Sequence, residues 1–134
     1  MLIDSERDRY SRQIRLFGEE GQEKLIKASA FIAGAGGLGS AVSLYMAAAG
    51  FGKIVIVDCD IVDMSNLNRQ VLHRTGDVGK SKARSAEETL RGINPEIEIE
   101  AFEITIDEDV EIAKPKTSNK VELTITHNIN SKKG

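Results

Sequence analysis

The chemistry legible in this chain begins with a glycine run. Gly34, Gly36 and Gly39 fit the spacing G-x-G-x-x-G, with Gly37 inside the same run. They lie between a short apolar stretch, residues 30–33, and a segment rich in helix formers, residues 38–49. In that context such a loop cradles phosphate: Gly34 permits a tight turn, Gly36 lets phosphate oxygens approach the backbone, and Gly39 lets helix pack closely on strand. The helix that follows adds unpaired N–H groups and the positive end of its dipole. Asp58 follows Gly39 by 19 residues and closes a second apolar run. An acid there accepts hydrogen bonds from ribose hydroxyls. The bland alternative is a glycine turn needed only for close packing.

Beyond the acid stand groups that a dinucleotide dehydrogenase does not need. Arg69 and Lys82 are cations placed after the strand end, and Arg12 is a third from a distant segment. Asn66 and Gln70 carry amides that can donate to phosphate oxygens. A triphosphate requires such cations, because its charge must be neutralised before another anion can approach. Taken singly, each of these residues also reads as a solvated charge or a loop cap.

These groups need a scaffold. The run 30–33 and the β-branched run 53–57 read as buried strands, and the helix formers between them end at Gly50, suited to a left-handed closing position. Two such strands joined by one helix make a βαβ unit with a parallel sheet. Residues 65–74 read as a loop with a short helical turn, 79–93 as a helix stopped by Asn94-Pro95, and 96–106 as a third strand with one face exposed. At the start, Ser5 is the expected cap of a helix carrying Tyr10, Ile14 and Phe17 inward; Gly18 ends it, and 19–27 form a second with Leu25 and Ile26 inward. Tyr45 and Met46 are expected in the core, Cys59 as a small packing residue, and His73 and His127 at surface or loop positions.

Composition bounds the answer. The 134 residues suit one domain, and 40% hydrophobic with 29% charged residues is an ordinary globular balance. A net charge of −3 argues against a protein that holds nucleic acid by its charge, and no run approaches the ~20 apolar residues of a membrane span. One cysteine forms no internal disulfide and no zinc cluster of thiolates, which points to a reducing, cytoplasmic setting. Residues 94–112 hold eight acids and no base, while 113–134 hold five lysines and one glutamate. The expected division is therefore 1–112, an N-terminal helical arm with a Rossmann-like α/β unit, and 113–134, a linker and tail. Within the tail, 121–126 alternate like a strand that could join the first strand's edge or another chain.

The stretch Asp58-Cys-Asp-Ile-Val-Asp-Met-Ser-Asn-Leu-Asn-Arg-Gln70, followed by Gly79-Lys-Ser-Lys82, resembles the ATP-binding region of the HesA/MoeB/ThiF family, relatives of the ubiquitin-activating enzymes. Arg9-Tyr-Ser-Arg-Gln-Ile14, Gly50-Phe-Gly52 and Ile93-Asn-Pro95 fall where that family has its arginine motif, strand-entry turn and helix end. The resemblance spans about residues 10–109. It implies ATP as the bound nucleotide and adenylation of the C-terminal glycine of a ubiquitin-like or sulfur-carrier protein ending in Gly-Gly. It also implies that Asp58 holds the ribose, that Asn66, Arg69 and Lys82 hold the phosphates with Gln70 in support, and that Asp60 assists. Arg12 is implied to reach across a two-fold homodimer to the partner's ATP.

The family's fourth strand with its magnesium aspartate, its zinc C-x-x-C pairs and its carrier-docking sheet have no counterpart here. Magnesium is expected with ATP, its ligand open between Asp60 and the 107–109 cluster, and no zinc site is expected. The alternative to an adenylating enzyme is a catalytically silent nucleotide-binding or dimerisation module. A nicotinamide-binding half is disfavoured by Arg69, Lys82 and the lack of a second mononucleotide half.

Overall fold

A computed structural model of the chain describes residues 1–106 and the backbones of two further strands, Val110–Ala113 and Glu122–Ile125. Its centre is a parallel sheet of β1 (Ser29–Ala33), β2 (Lys53–Val57) and β3 (Glu98–Phe102), in the order β1-β2-β3. The register aligns Ala33, Val57 and Phe102 at the carboxyl ends. All five residues of β2 are buried, as a middle strand covered on both faces requires. β3 keeps one half-exposed face, and Lys53 uses it: its Nζ lies 3.2 Å from Glu100 and 3.8 Å from Glu98. The acidic strand face is thus tied to a lysine rather than merely solvated.

Two helices cover the sheet. α3 (Gly37–Ala49) ends at Gly50 with φ +90°, the left-handed closure anticipated from its type. α4 (Lys82–Ile93) begins three residues later than its helix formers suggest. Gly79 adopts φ +91° and breaks the chain direction, and the Ser81 side chain then accepts from Arg84 N–H as the cap. The core is aliphatic: Ile32, Ile54, Ile56, Leu72, Leu90 and Ile99 pack with Ala35, Ala47, Ala83 and Ala86. Met46 is half-buried against it, whereas Tyr45 is 78% exposed, contrary to its expected place in the core.

The N-terminal arm is α1 (Asp4–Arg9) and α2 (Ser11–Lys27), separated at Tyr10, with a break in α2 at Gly18, φ +74°. Ile3, not Ser5, is the cap position, because Glu6 reaches back to accept from Ile3 N–H at 2.9 Å. Tyr10 is buried, Ile14, Leu25 and Ile26 are half-buried, and Phe17 is exposed. Gln13 and Gln22 bond each other and both donate to Ala49 O, while Asn94 Nδ2 donates to Ala47 O and to Tyr10 Oη. Those bonds fasten the arm to the carboxyl end of α3.

β4 (Val110–Ala113) and β5 (Glu122–Ile125) pair antiparallel as a second sheet. The tail strand therefore forms, but it joins β4 instead of the edge of β1. Residues 107–109 and His127 lie outside the described residues. Among the described residues no helix is long and apolar enough to cross a membrane.

Candidate functional site

The carboxyl ends of β1 and β2 carry the glycine loop, and the loop's four glycines divide into two kinds. Gly34 has φ +100°, a conformation that side-chain-bearing residues rarely adopt, and its N–H donates to Val57 O at 2.7 Å. A Cβ on Gly39 would lie 1.9 Å from Gly34 O, so the loop and α3 touch backbone to backbone there. The fold itself demands those two. Gly36 and Gly37 differ: a Cβ on Gly36 would meet only Gln70 Nε2 at 3.8 Å, and one on Gly37 only Arg69 Cγ at 4.0 Å. Among the described residues nothing else comes within 4 Å of either position, so the fold does not require glycine there.

Asp58 closes β2 and is spent on the backbone in two directions. Its Oδ2 accepts from Ala35 N–H at 2.7 Å and its Oδ1 from Asp60 N–H at 2.8 Å. Each carboxylate oxygen keeps a second lone pair for a ribose hydroxyl. Asp60 is exposed; its carbonyl accepts from Lys82 N–H at 3.0 Å, and its Oδ2 lies 3.9 Å from Lys82 Nζ. Lys82, the first residue of α4, is only 7% exposed, so its ammonium is held at the loop after β2 instead of in bulk water.

A 3₁₀ turn at Met64–Asn66 delivers the remaining groups. Asp63 Oδ1 accepts from Ser65 N–H and hydroxyl; these bonds, the hydroxyl first, hold the Asp63 carboxyl below its ordinary range. Asn66 Oδ1 accepts from Asp63 N–H at 3.0 Å, so this amide is half committed to the turn. Arg69 Nη1 donates to Ser65 O and Asn68 Oδ1, and its guanidinium has no carboxylate partner among the described residues. Gln70 is 5% exposed, and its Oε1 is a buried polar atom without a hydrogen-bond partner among the described residues. A buried amide oxygen left unpaired is costly and calls for a missing partner. The other end of that amide, Nε2, is the atom nearest a Cβ placed on Gly36, at 3.8 Å.

An open glycine cradle, an amide N–H beside it and two cations fit a nucleotide phosphate; the unpaired Gln70 Oε1, an acceptor, calls for a donor instead. Asp58, Cys59 and Asp60 place three potential ligand atoms within 4.8 Å of one another. Magnesium takes oxygen donors, so the carboxylates of Asp58 and Asp60 suit it and the thiol does not. Cys59 is exposed, not the packing residue its small size suggested.

Arg12 stands apart. It is exposed on α2, whose anchors hold the carboxyl end of α3, about 18 Å along that helix from the glycine loop. The chain's own loop and Arg12 are thus at opposite ends of one helix.

Three residues were not anticipated. His73, expected at the surface, is 5% exposed, with Nδ1 2.7 Å from Ser85 Oγ and Nε2 2.9 Å from Ala35 O in the glycine loop. The Ser85 hydroxyl also bonds Asp77. Burial works to raise the Asp77 carboxyl, but bonds from Arg74 N–H, Ser85 and Lys80 outweigh it and hold the group below its ordinary range. No sequence spacing marks these three, because each is joined to the loop only by the fold.

A βαβαβ unit with its phosphate loop at the strands' carboxyl ends is a Rossmann-type mononucleotide-binding half. Residues 10–126 match the ThiF family, and the chain belongs to it. It is 47% identical over 102 residues to the SAMP-activating enzyme E1 of Haloferax volcanii, covering 75% of this chain and 38% of that protein. It is 46% identical over 114 residues to the sulfur carrier protein adenylyltransferase of Thermus thermophilus, covering 82% and 42%. Among solved structures, the E. coli tRNA N6-threonylcarbamoyladenosine dehydratase TcdA in complex with ATP superimposes with a TM-score of 0.75 at 32% identity, covering 79% and 44%. The chain spans about two fifths of the length of these relatives. The match to residue 126 takes in both strands of the second sheet.

Proposed function

We propose that this chain binds ATP at the glycine loop and adenylates the C-terminal glycine of a ubiquitin-like or sulfur-carrier protein ending in Gly-Gly. The observation that carries the reading is the open flank of Gly36 and Gly37, bordered by the Gln70 amide nitrogen and the Arg69 side chain. In this reading 1–112 is the nucleotide-binding unit and 113–134 a tail. Asp58 accepts from the ribose, while Asn66, Arg69 and Lys82 hold the phosphates with Gln70 in support. Asp60 would hold magnesium, which would supply further charge neutralisation.

The carrier's carboxylate attacks the α-phosphorus, the bond to the β-phosphate oxygen breaks, and acyl-adenylate and pyrophosphate result. The protein's part is positioning and charge neutralisation. Arg12, exposed and remote from its own loop, serves the phosphates of a partner subunit in a two-fold homodimer. Neither nucleic acid nor a membrane is a partner in this reading, and its setting is cytoplasmic.

ATP–pyrophosphate exchange tests the proposal. Exchange that depends on magnesium and on a purified Gly-Gly carrier is the expected result. ATP binding without exchange would leave a catalytically silent nucleotide-binding module. Stabilisation by NAD and not by ATP would overturn the nucleotide assignment itself.

A further inference from the structure

The buried His73 has no part in the chemistry above, yet it reaches the glycine loop directly. A carbonyl only accepts, so the 2.9 Å contact between His73 Nε2 and Ala35 O requires the proton on Nε2. Nδ1 then faces the Ser85 hydroxyl, which also bonds Asp77. Whichever way that hydroxyl turns, the Nε2 hydrogen stays on Ala35 O.

Ala35 lies between Gly34 and Gly36, and its own N–H is fixed by Asp58 at 2.7 Å. Both ends of the residue are therefore tied into the protein. The Ala35–Gly36 peptide is trans, so its N–H points opposite to its C=O. Drawing Ala35 O inward to His73 turns Gly36 N–H outward, and Gly36 is the glycine whose flank is open. Ser40 Oγ also donates to Ala35 O, at a longer 3.3 Å.

We propose that His73 is a positioning residue that aims the Gly36 N–H at a phosphate of the bound nucleotide, with Ser85 fixing the ring. The inference rests on the nucleotide reading of the loop. Its substitutions separate orientation from packing. In His73→Gln the amide N–H can stand where Nε2 stands; in His73→Asn the shorter side chain keeps an atom near Nδ1 but cannot reach Ala35.

The full chain of each variant is titrated with ATP and with adenosine, by displacement of a fluorescent ATP analogue. Both variants are expected to lose similar thermal stability. ATP affinity should fall about tenfold in His73→Asn and less than about threefold in His73→Gln, the scale of one hydrogen bond to a charged group. Adenosine, which lacks phosphate, should bind all three proteins alike. The ligand-free Gly36 amide resonance should move in His73→Asn and stay near its wild-type position in His73→Gln.

Equal ATP losses in both variants, or a parallel loss for adenosine, would reduce His73 to a packing residue and overturn the proposal. An unmoved Gly36 resonance in His73→Asn would overturn it whatever the nucleotide data show. Absence of ATP binding by the wild-type chain would instead remove the nucleotide reading, which the amide measurement does not depend on.

Discussion

Helix α3 has two ends that the protein treats in opposite ways. At its carboxyl end the polar groups are satisfied from within: Ala47 O accepts from Asn94, Ala49 O accepts from Gln13 and Gln22, and Gly50 closes the helix. Tyr10 covers that closure so tightly that a Cβ on Gly50 would lie 2.6 Å from its ring. At the amino end, Gln70 Oε1 is buried and unpaired among the described residues, Arg69 has no carboxylate there, and the space beside Gly36 and Gly37 is open. Helix ends carry orphan backbone groups that something must satisfy. Here one end takes its partners from the fold, and the other is left open among the described residues.

The sharpest break in that contrast is Gly39→Ala. The added methyl meets Gly34 O, and backbone must move, so we expect a loss of about 3 kcal/mol at the upper end of overpacking costs, with ATP binding lost as well. Chemical denaturation checks it; a variant of wild-type stability would show that loop and helix do not touch as described. Next comes Asn94→Ala at the other end, which leaves Tyr10 Oη without its donor and Ala47 O with only the Gly50 N–H, at 3.2 Å. We expect about 2 kcal/mol of lost stability and unchanged ATP affinity in the folded protein. An affinity loss there would dissolve the division between the two ends.

Gly36→Ala should do the reverse. Its Cβ meets no atom closer than 3.8 Å, so stability should hold within about 0.5 kcal/mol, as for an unhindered substitution, while ATP affinity falls about tenfold. The smallest effect concerns Asp77, under the loop. Its carboxyl is depressed in the folded state, so its contribution is fully present above the unfolded value, near 3.9, and is lost as pH falls through the lower folded value. Asp77→Asn should therefore melt below wild type at neutral pH, and the gap should narrow as the pH falls below the unfolded value. A gap that widened in acid would contradict the assigned bonds.

The sequence carried the strands and the loop well, for physical reasons that can be named. Lys53–Val57 is an unbroken β-branched run bounded by glycines and an acid, and it forms β2 at those residues. Gly34, Gly39 and Gly50 announced backbone features that only glycine tolerates. The start of α4 was displaced because Gly79 and Ser81 outweigh the residues around them, and the arm's cap moved because Glu6 supplied a bond that Ser5 was expected to provide. His73 and Tyr45 were misjudged in opposite directions. A histidine's burial depends on partners 12 and 38 residues away, and a tyrosine on a two-sided apolar helix carries no mark of which side faces water.

The site itself was legible as a set of residue types, not as a geometry. Asp58 bonds Ala35, Gln70 and Arg69 border Gly36 and Gly37, and Lys82 lies near Asp60, but no spacing discloses that Gln70 Oε1 is left unpaired among the described residues or that Arg12 lies at the other end of α3 from its own loop. The tail strand was anticipated and its pairing partner was not, since alternation reports a face and not a neighbour.

Calorimetric titration of ATP into the wild-type chain and into Arg69→Ala tests the central claim most directly. Arg69 is exposed and has no carboxylate partner among the described residues, so its removal should leave the melting temperature unchanged and weaken ATP binding by about 1.5–3 kcal/mol, the value of a charge-assisted contact. Unchanged affinity, or a loss matched by a fall in stability, would contradict the view that the amino end of α3 is held open for a nucleotide's phosphates.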